Sequence, residues 1–387
     1  MTSVLDPERE GILRRGMKDA GLKAILAWFP EDLAMVGGTW PCLGMNLCLY
    51  PAEGRPVYYM PPNEPADVGP VGFTVRHFDI EPGNWTSLKT ILRSDIGALG
   101  LTGLELGTEP DDGQHAVTTF SGETPLFGTQ AISTILSGIK TCDATAFFTT
   151  AGLRKTGLEI ERIRRANVIA GIGLSAFHAE IKPGRTEAEV AASVEGVIQS
   201  QSGKQGCSLA RAWAQVQAGP NIYKGGTFSR SSGQVLCEGD LVLIELGTCV
   251  DGYWSDLTRT ACVGRAGDRQ KALLTAVKGA QAAAIAVVRP GLTHEAVDKA
   301  ARDYLEERGY GKGFMHNCGH QVGFRYHDRG PVLQKGSKAT LETGMIITIE
   351  PGCYGEAFGG GARFEDDILV TASGSESLSP RNIVWTE

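Results

Sequence analysis

Acidic residues stand inside segments that otherwise have the apolar composition of buried strands. Glu245 interrupts one such run, Glu350 closes a second, and Glu365 precedes a third. An ionised carboxylate in an apolar strand costs several kcal/mol unless a partner compensates its charge. The sequence therefore predicts that something cationic lies beside these three side chains.

A hairpin brings a further carboxylate toward Glu245. Glu245 and Asp256 flank a turn signal with Asp251-Gly252 at its centre. If the loop is Val250-Asp251, the two carboxylates are directly opposite, and if it is Asp251-Gly252, they are diagonal neighbours on one face. Both registers place like charges together, where they repel unless they are protonated or bridged by a cation.

Three of the chain's seven histidines follow within twelve residues, at His316, His320 and His327. A lone histidine is more often a satisfied core residue than a ligand. Clustered histidines beside buried carboxylates favour a metal site instead. Such a donor set, rich in oxygen with imidazole nitrogen, suits Mn, Fe, Co or Zn rather than a metal selected by thiolates.

The order of these motifs resembles the pita-bread metallohydrolases, the family of Xaa-Pro aminopeptidases, prolidases and creatinase. The motifs are IELGTCVDGYWSDLTRT, HNCGHQVGFRYHD, IEPGCY and RFEDDILVT. Residues 10–38 are similar to the start of the family's N-terminal domain, and LRKTGLEIERIRRAN to the start of its catalytic domain. Four motifs in one order are far more specific than any one of them.

The resemblance implies a ligand set for two divalent metal ions, with Mn preferred over Co, Zn or Fe. Glu245 and Asp256 would bind one ion, Asp256 and Glu365 would bridge the two, and His320 and Glu350 would complete the second. A bridging water would then be acidified to the hydroxide that attacks a carbonyl.

The resemblance also implies roles beyond metal binding. Glu350 would carry a proton to the leaving amine. His316 and His327 would orient the substrate and stabilise its developing charge. Arg363 would hold the bridging carboxylate or a substrate carboxylate, and an ordinary surface ion pair is the alternative.

Two positions depart from the family pattern. Glu245 stands where the family has Asp, and the extra methylene displaces the carboxylate by about 1.5 Å. The element Ala218-Gly219-Pro220-Asn221 is not followed by the family's histidine, whose hydrogen bond Tyr223 or Lys224 could replace. These departures leave three functions open. An Xaa-Pro aminopeptidase or dipeptidase leads, a creatinase-like enzyme acting on a small non-peptide metabolite is second, and a catalytically silent binding protein is third.

The sequence patterns of helices and strands around these residues predict two domains. Residues 6–20 have a helical pattern after Asp6-Pro7, and residues 22–29 and 55–60 read as strands. We expect an α/β N-terminal domain of the creatinase/prolidase type over 1–150 and an α+β pita-bread catalytic domain over 151–387. A basic-Pro-Gly turn with a Thr N-cap occurs at both 181–187 and 288–294, which favours an internal pseudo-two-fold repeat.

Composition limits the partners and the compartment. The chain has 387 residues, 42% of them hydrophobic, and a formal charge of -7, which gives no basic surface for nucleic acid. Its first residues lack the apolar core of a secretory signal, no apolar run reaches membrane-spanning length, and nine cysteines contain no CxxC pair. We expect a cytoplasmic enzyme acting on a peptide or small molecule, and the resemblance implies a homodimer.

Overall fold

The computed structural model describes residues 6–41, 43–64, 69–81, 83–110, 129–204, 206–224 and 230–380. Contacts within the chain divide it into two compact units, Met1–Gly152 and Leu153–Glu387. Among the helices of these described ranges, none is both long and apolar enough to cross a membrane.

The first unit is an α/β domain. Asp6 caps its first helix by accepting from the backbone N–H groups of Glu8 and Arg9, as the Asp-Pro start predicts. The sheet has the strand order β4-β3-β2-β1-β5-β6 and mixes parallel and antiparallel pairs. The elements are α1 Pro7–Asp19, β1 Ala24–Ala27, α2 Pro30–Gly37, β2 Leu47–Pro51, β3 Val57–Met60, β4 Thr74–His77, α3 Thr86–Ala98, β5 Leu106–Thr108, α4 Thr129–Leu136, β6 Thr141–Asp143 and α5 Thr145–Leu153.

The second unit begins with a pair of helices packed on a three-stranded antiparallel sheet. Capping boxes at Thr156 and Thr186 start the two helices, because each threonine and the glutamate three residues later satisfy each other's backbone N–H groups. One face of the sheet packs apolar side chains against these helices. The elements are α6 Gly157–Glu180, α7 Glu187–Gln199, β7 Ala210–Ala218, α8 Asn221–Lys224, β8 Leu241–Val250 and β9 Tyr253–Cys262.

A second helix pair and a second antiparallel sheet follow. Thr293 caps the second helix of this pair, and Thr293 and Thr186 each form an isolated β-bridge at the cap, with Thr340 and Val235 respectively. A helix pair followed by an antiparallel sheet therefore occurs twice, as the two turns predict. The elements are α9 Asp268–Val287, α10 His294–Glu306, β10 Gly319–Gln321, β11 Asp328–Leu333, β12 Ile346–Ile349, β13 Gly352–Gly355, β14 Gly360–Arg363, β15 Asp366–Val370 and β16 Ser375–Ser377.

Hydrogen bonds join the two sheets where the acidic residues lie. The backbone N–H of Glu365 donates to the carbonyl of Thr258, 3.1 Å away. Thr260 Oγ1 and Arg363 exchange two hydrogen bonds of 3.0 Å through the arginine's backbone N–H and carbonyl. The start of β15 is thereby fixed against β9, so residues distant in sequence share one site.

Gly319 sets the close approach of β10 to β12. A Cβ at this position would lie 2.0 Å from the carbonyl oxygen of Thr348. Backbone atoms cannot move aside cheaply, so Gly319→Ala should displace the strand and lower the free energy of unfolding by about 1–3 kcal/mol. Urea denaturation measures the change.

Gly196→Ala is the matched control, because a Cβ there meets nothing within 4 Å on the exposed side of α7. That variant should be neutral or slightly more stable. If the two variants unfold at the same urea concentration, the close approach at Gly319 does not constrain the fold.

Candidate metal and catalytic site

The hairpin of β8 and β9 has its turn at Asp251-Gly252, since Val250 pairs with Tyr253. This is the diagonal alternative of the two registers. Glu245 pairs with Thr258, and Asp256 pairs with Gly247. Glu245 and Asp256 are therefore diagonal neighbours on one face of the sheet.

The structure brings all five predicted ligands into one cluster. In each of three overlapping groups, one ligand atom from every member lies within 4.8 Å of the others. His327, which the sequence assigns to substrate, joins one group. The groups are Glu245, Asp256 and Glu365; His320, Glu350 and Glu365; and Asp256, His320 and His327.

The unpartnered atoms of this cluster fit a cation. Both carboxylate oxygens of Asp256 and Oε1 of Glu365 are buried and accept no hydrogen bond from the described residues. Leaving such atoms unsatisfied is costly, and it is rare in folded proteins. His320 Nε2 lies 3.4 Å from Asp256 Oδ2 and 3.6 Å from Glu350 Oε1. An oxygen-rich set completed by imidazole nitrogen suits a divalent transition metal.

Glu245 differs from the other acidic members because its oxygens already have partners. Oε1 accepts from the Tyr326 hydroxyl, and Oε2 lies against the Thr258 hydroxyl and the Arg363 guanidinium. Burial opposes ionisation of Glu245, but Arg363 and these hydrogen bonds outweigh it and lower the pKa. Glu245 is therefore ionised and held in place by the protein itself.

Arg363 is the buried cation of the site. Only 2% of it is exposed, which excludes the surface ion pair considered from the sequence. Besides Glu245, it donates to Thr258 Oγ1 at 2.9 Å and to the Tyr354 hydroxyl at 3.1 Å. The carboxylate that it pairs with is Glu245 rather than Glu365, the expected bridging ligand.

The remaining carboxylates repel one another at close range. Burial, followed by the charges of Glu365 and Glu245, raises the pKa of Asp256 well above its usual range. Burial also raises the pKa of Glu365, which Glu350 and Glu245 raise further. Burial raises the pKa of Glu350 to about 8, although Arg363 opposes the shift. Without a metal, the site holds protons near neutral pH.

Burial keeps the histidines of the site neutral. Burial lowers the pKa of His316 to about 3, and burial with the neighbouring His320 lowers that of His327. His316 Nδ1 lies 2.8 Å from the Asn317 carbonyl, which makes Nδ1 the protonated nitrogen. His316 Nε2 then accepts from the Tyr354 hydroxyl at 3.0 Å.

The loop that carries His327 is fixed by Asp328. Its carboxylate accepts from the backbone N–H groups of Phe324 and Arg325 and forms a 2.8 Å ion pair with buried Lys155. The rings of His327 and His320 lie 3.7 Å apart between centroids. A buried ion pair thus orients this part of the site.

Asp367 links the backbone of Asp256 to helix α6. It accepts from the backbone N–H of Asp256 and, at 2.8 Å, from the amide of Asn167 in α6. Its own backbone N–H donates to Ser379 Oγ. Burial raises its pKa to about 8. Strand alternation places Asp367 on the same face as Glu365, but its contact with Asp256 depends on how the sheets pack.

Tyr223 lies elsewhere among the described residues. It lines a cavity of about 280 Å³ together with Pro220, Asp240, Arg269 and Gly360. None of the predicted metal ligands lines this cavity, and the assignment of Tyr223 to substrate stays a prediction.

Sequence reasoning missed three polar contributors to the site, Thr258, Tyr326 and Tyr354. The contact of Thr258 could have been predicted, because Thr258 lies directly opposite Glu245 in the register that forms. The two tyrosines reach the cluster from other loops and strands, and no local pattern indicates their contacts.

Comparison with known proteins identifies the family of this chain. Residues 161–372, more than half of the chain, match metallopeptidase family M24. The chain belongs to this family. The M24 match covers the C-terminal part of the chain, and the α/β domain precedes it.

Relatives of this M24 protein include Xaa-Pro dipeptidases. The one from Pyrococcus furiosus is 36% identical over 230 residues, which cover 58% of this chain and 62% of the relative. The one from Lactobacillus helveticus is 34% identical, with 62% and 63% covered. The matched segment thus spans less than two thirds of each relative.

Solved structures extend the likeness over nearly the whole chain. An Xaa-Pro dipeptidase from Bacillus anthracis has a TM-score of 0.79 at 27% identity and covers 98% of this chain and 99% of its own. A prolidase from Pyrococcus horikoshii has a TM-score of 0.76 at 26% identity, covering 97% and 100%. The fold is the pita-bread fold of these proteins, which confirms the predicted fold class.

Mn²⁺ should raise the melting temperature more at about pH 8 than at about pH 5.5. The raised pKa values of Asp256, Glu365 and Glu350 mean that the metal-free folded protein holds protons that the unfolded chain releases above about pH 4. Its free energy of unfolding therefore falls as pH rises through about 8. Thermal melts in EDTA and in Mn²⁺ at both pH values measure the effect.

Asp256→Asn is the control for this prediction, and it should reduce the Mn²⁺-dependent increase at both pH values. Equal increases in the wild type at the two pH values would contradict competition between protons and metal.

Arg363→Met should lower the free energy of unfolding in EDTA by about 3–5 kcal/mol, because it leaves Glu245 buried without its counter-charge. The double variant Arg363→Met/Glu245→Gln removes both charges and should recover part of this loss. Urea denaturation of the single and double variants tests the pair. A double variant less stable than Arg363→Met would show that the loss does not come from the uncompensated carboxylate.

Proposed function

We propose that this protein is a metal-dependent Xaa-Pro dipeptidase that holds two divalent metal ions, with Mn preferred over Co, Zn or Fe. The observation that carries the proposal is the cluster of buried, unpartnered oxygens on Asp256 and Glu365 beside His320 and Glu350. The dipeptidase relatives support the substrate class.

The ligands of the two ions would be the five predicted residues. When bound, divalent ions supply Lewis-acid chemistry, which polarises a carbonyl and lowers the pKa of water. The chain's contribution is to hold the donors in a buried site with fixed geometry. The ligands are Glu245, Asp256, His320, Glu350 and Glu365.

Glu350 is the residue suited to move a proton. In the metal-free site, burial raises the pKa of this carboxyl to about 8, and in the metal-loaded enzyme the carboxylate would pass a proton to the leaving amine. His316 lies 3.9 Å from Glu350 Oε2 and, as a neutral ring, adds no positive charge beside it. His327 Nε2 lies 3.7 Å from Asp256 Oδ2, and this side chain would orient the substrate or join the ligands.

A hydrolase acting on a small non-peptide metabolite is the second candidate. It is favoured by Glu245, whose two oxygens are engaged by Tyr326, Thr258 and Arg363. It is also favoured by the segment Asn221 to Gly226, which contains no histidine.

A cytoplasmic location and a homodimeric assembly complete the proposal. The eight described cysteines are free thiols, which fits a reducing compartment. The homodimer rests on family resemblance.

Purified protein loaded with Mn²⁺ should hydrolyse Xaa-Pro dipeptides faster than longer Xaa-Pro peptides, and Glu350→Gln should lower kcat by about 100-fold or more, since general acid–base catalysis contributes about that much. Product analysis by mass spectrometry, together with metal content by inductively coupled plasma mass spectrometry, measures both points.

Glu306→Gln, an exposed position in α10, is the matched control and should leave the rate unchanged. Metal-loaded protein that cleaves no Xaa-Pro peptide would exclude the dipeptidase and favour the metabolite hydrolase.

A further inference from the structure

An edge strand presents polar side chains to the site. In β7, Gln215 pairs directly with Glu245 of β8, and Trp213 pairs with Gly247. Directly paired residues project from the same face of a sheet. Gln215 and Trp213 therefore share the face that carries the carboxylates, whereas Ala214 and Val216 project into the apolar core on the other face.

Gln215 is buried, and the N–H group of its amide has no partner among the described residues. Only 5% of the residue is exposed, and its Nε2 forms no hydrogen bond with the described part of the chain. Glu245, its direct neighbour, accepts its hydrogen bonds from other side chains. A buried amide N–H without an acceptor is unfavourable, so this donor needs an oxygen that the described residues do not supply.

Aromatic rings form a wall next to this donor. Tyr326 covers Gly247, where a Cβ would lie 2.7 Å from the tyrosine ring. The rings of Trp213 and Trp254 meet Tyr326 edge-on, with centroids 5.8 and 6.1 Å away. Trp213 is half-buried. One hydrogen-bond donor beside apolar surface is the usual composition of a small-molecule subsite.

We infer that Gln215 is a substrate-binding and specificity-determining residue whose amide N–H donates to a carbonyl or carboxylate oxygen of the substrate, with Trp213 and Tyr326 as the apolar wall beside it. The inference rests on the proposed function for its substrate class. Two substrate groups supply such an oxygen, the C-terminal carboxylate of the dipeptide and a polar side chain ahead of proline.

Gln217 provides a comparison within the same strand. It lies two residues along on the same face and is 3% exposed, but it already has an interaction partner. A purely structural role for buried amides in β7 predicts similar losses on changing either glutamine. A substrate role predicts a loss that is specific to Gln215.

The test compares Gln215→Met with Gln217→Met in the Mn²⁺-loaded protein, since methionine keeps the length of glutamine without its donor. The substrates are Leu-Pro, Gln-Pro and the amidated dipeptide Leu-Pro-NH₂, which separate the two sources of the oxygen. Binding of Leu-Pro to metal-free protein is measured separately by tryptophan fluorescence, and metal content and urea unfolding are recorded for each variant.

Gln215→Met should raise KM, and the dissociation constant of Leu-Pro, by about 10- to 100-fold, with a smaller change in kcat. Its metal content should equal that of the wild type, and Gln217→Met should bind substrate as the wild type does. Loss of preference for Leu-Pro over Leu-Pro-NH₂ identifies the carboxylate as acceptor, and loss of preference for Gln-Pro over Leu-Pro identifies the side chain.

Unchanged KM and binding in a folded, metal-loaded Gln215→Met would overturn the inference and leave the proposed function intact. Equal losses in the two methionine variants would also overturn it. If the wild type cleaves nothing but binds Leu-Pro through Gln215, the dipeptidase assignment fails and the inference stands. A wild type that neither binds nor cleaves these probes contradicts both.

Discussion

Repulsion among buried carboxylates is the constraint on which the site depends. Asp256, Glu350 and Glu365 lie in one cluster, and burial and mutual repulsion raise the pKa of each carboxyl group. Arg363 compensates Glu245, whereas both oxygens of Asp256 and Oε1 of Glu365 have no hydrogen-bond partner among the described residues. The protein thus stores electrostatic strain at one point in its fold, and binding of divalent cations would release it.

The surrounding structure keeps these charges in place by backbone hydrogen bonds rather than by apolar packing alone. The hairpin register sets the spacing of Glu245 and Asp256, and the bond from Glu365 to Thr258 fixes a third carboxylate against them. Asp367 holds the backbone of Asp256 from behind. Most of these supports come from strands, which hold geometry more rigidly than loops do.

The sequence predicted the pita-bread fold through the resemblance of four ordered motifs, and it predicted clustered acidic residues because charges inside apolar strands form a local pattern. Turn residues and misplaced charges identified Glu245, Asp256, Glu350 and Glu365, and the Thr N-caps after the two basic-Pro-Gly turns identified the starts of α7 and α10. The exact partner of Arg363 required the tertiary structure, since Glu365 is two residues away in sequence, whereas Glu245, with which it pairs, comes from a distant strand. The contacts of Tyr326 and Asp367 also depend on how separate segments pack, which a single sequence does not encode locally.

The duplicated arrangement of helix pairs and sheets divides the donors between two halves of the catalytic unit. Glu245 and Asp256 come from the first half, and His320, Glu350 and Glu365 come from the second. Neither half alone assembles the cluster, so a cation that binds it would link the halves across their junction. Metal binding would then act late in the maturation of the chain and select molecules in which both halves have folded correctly.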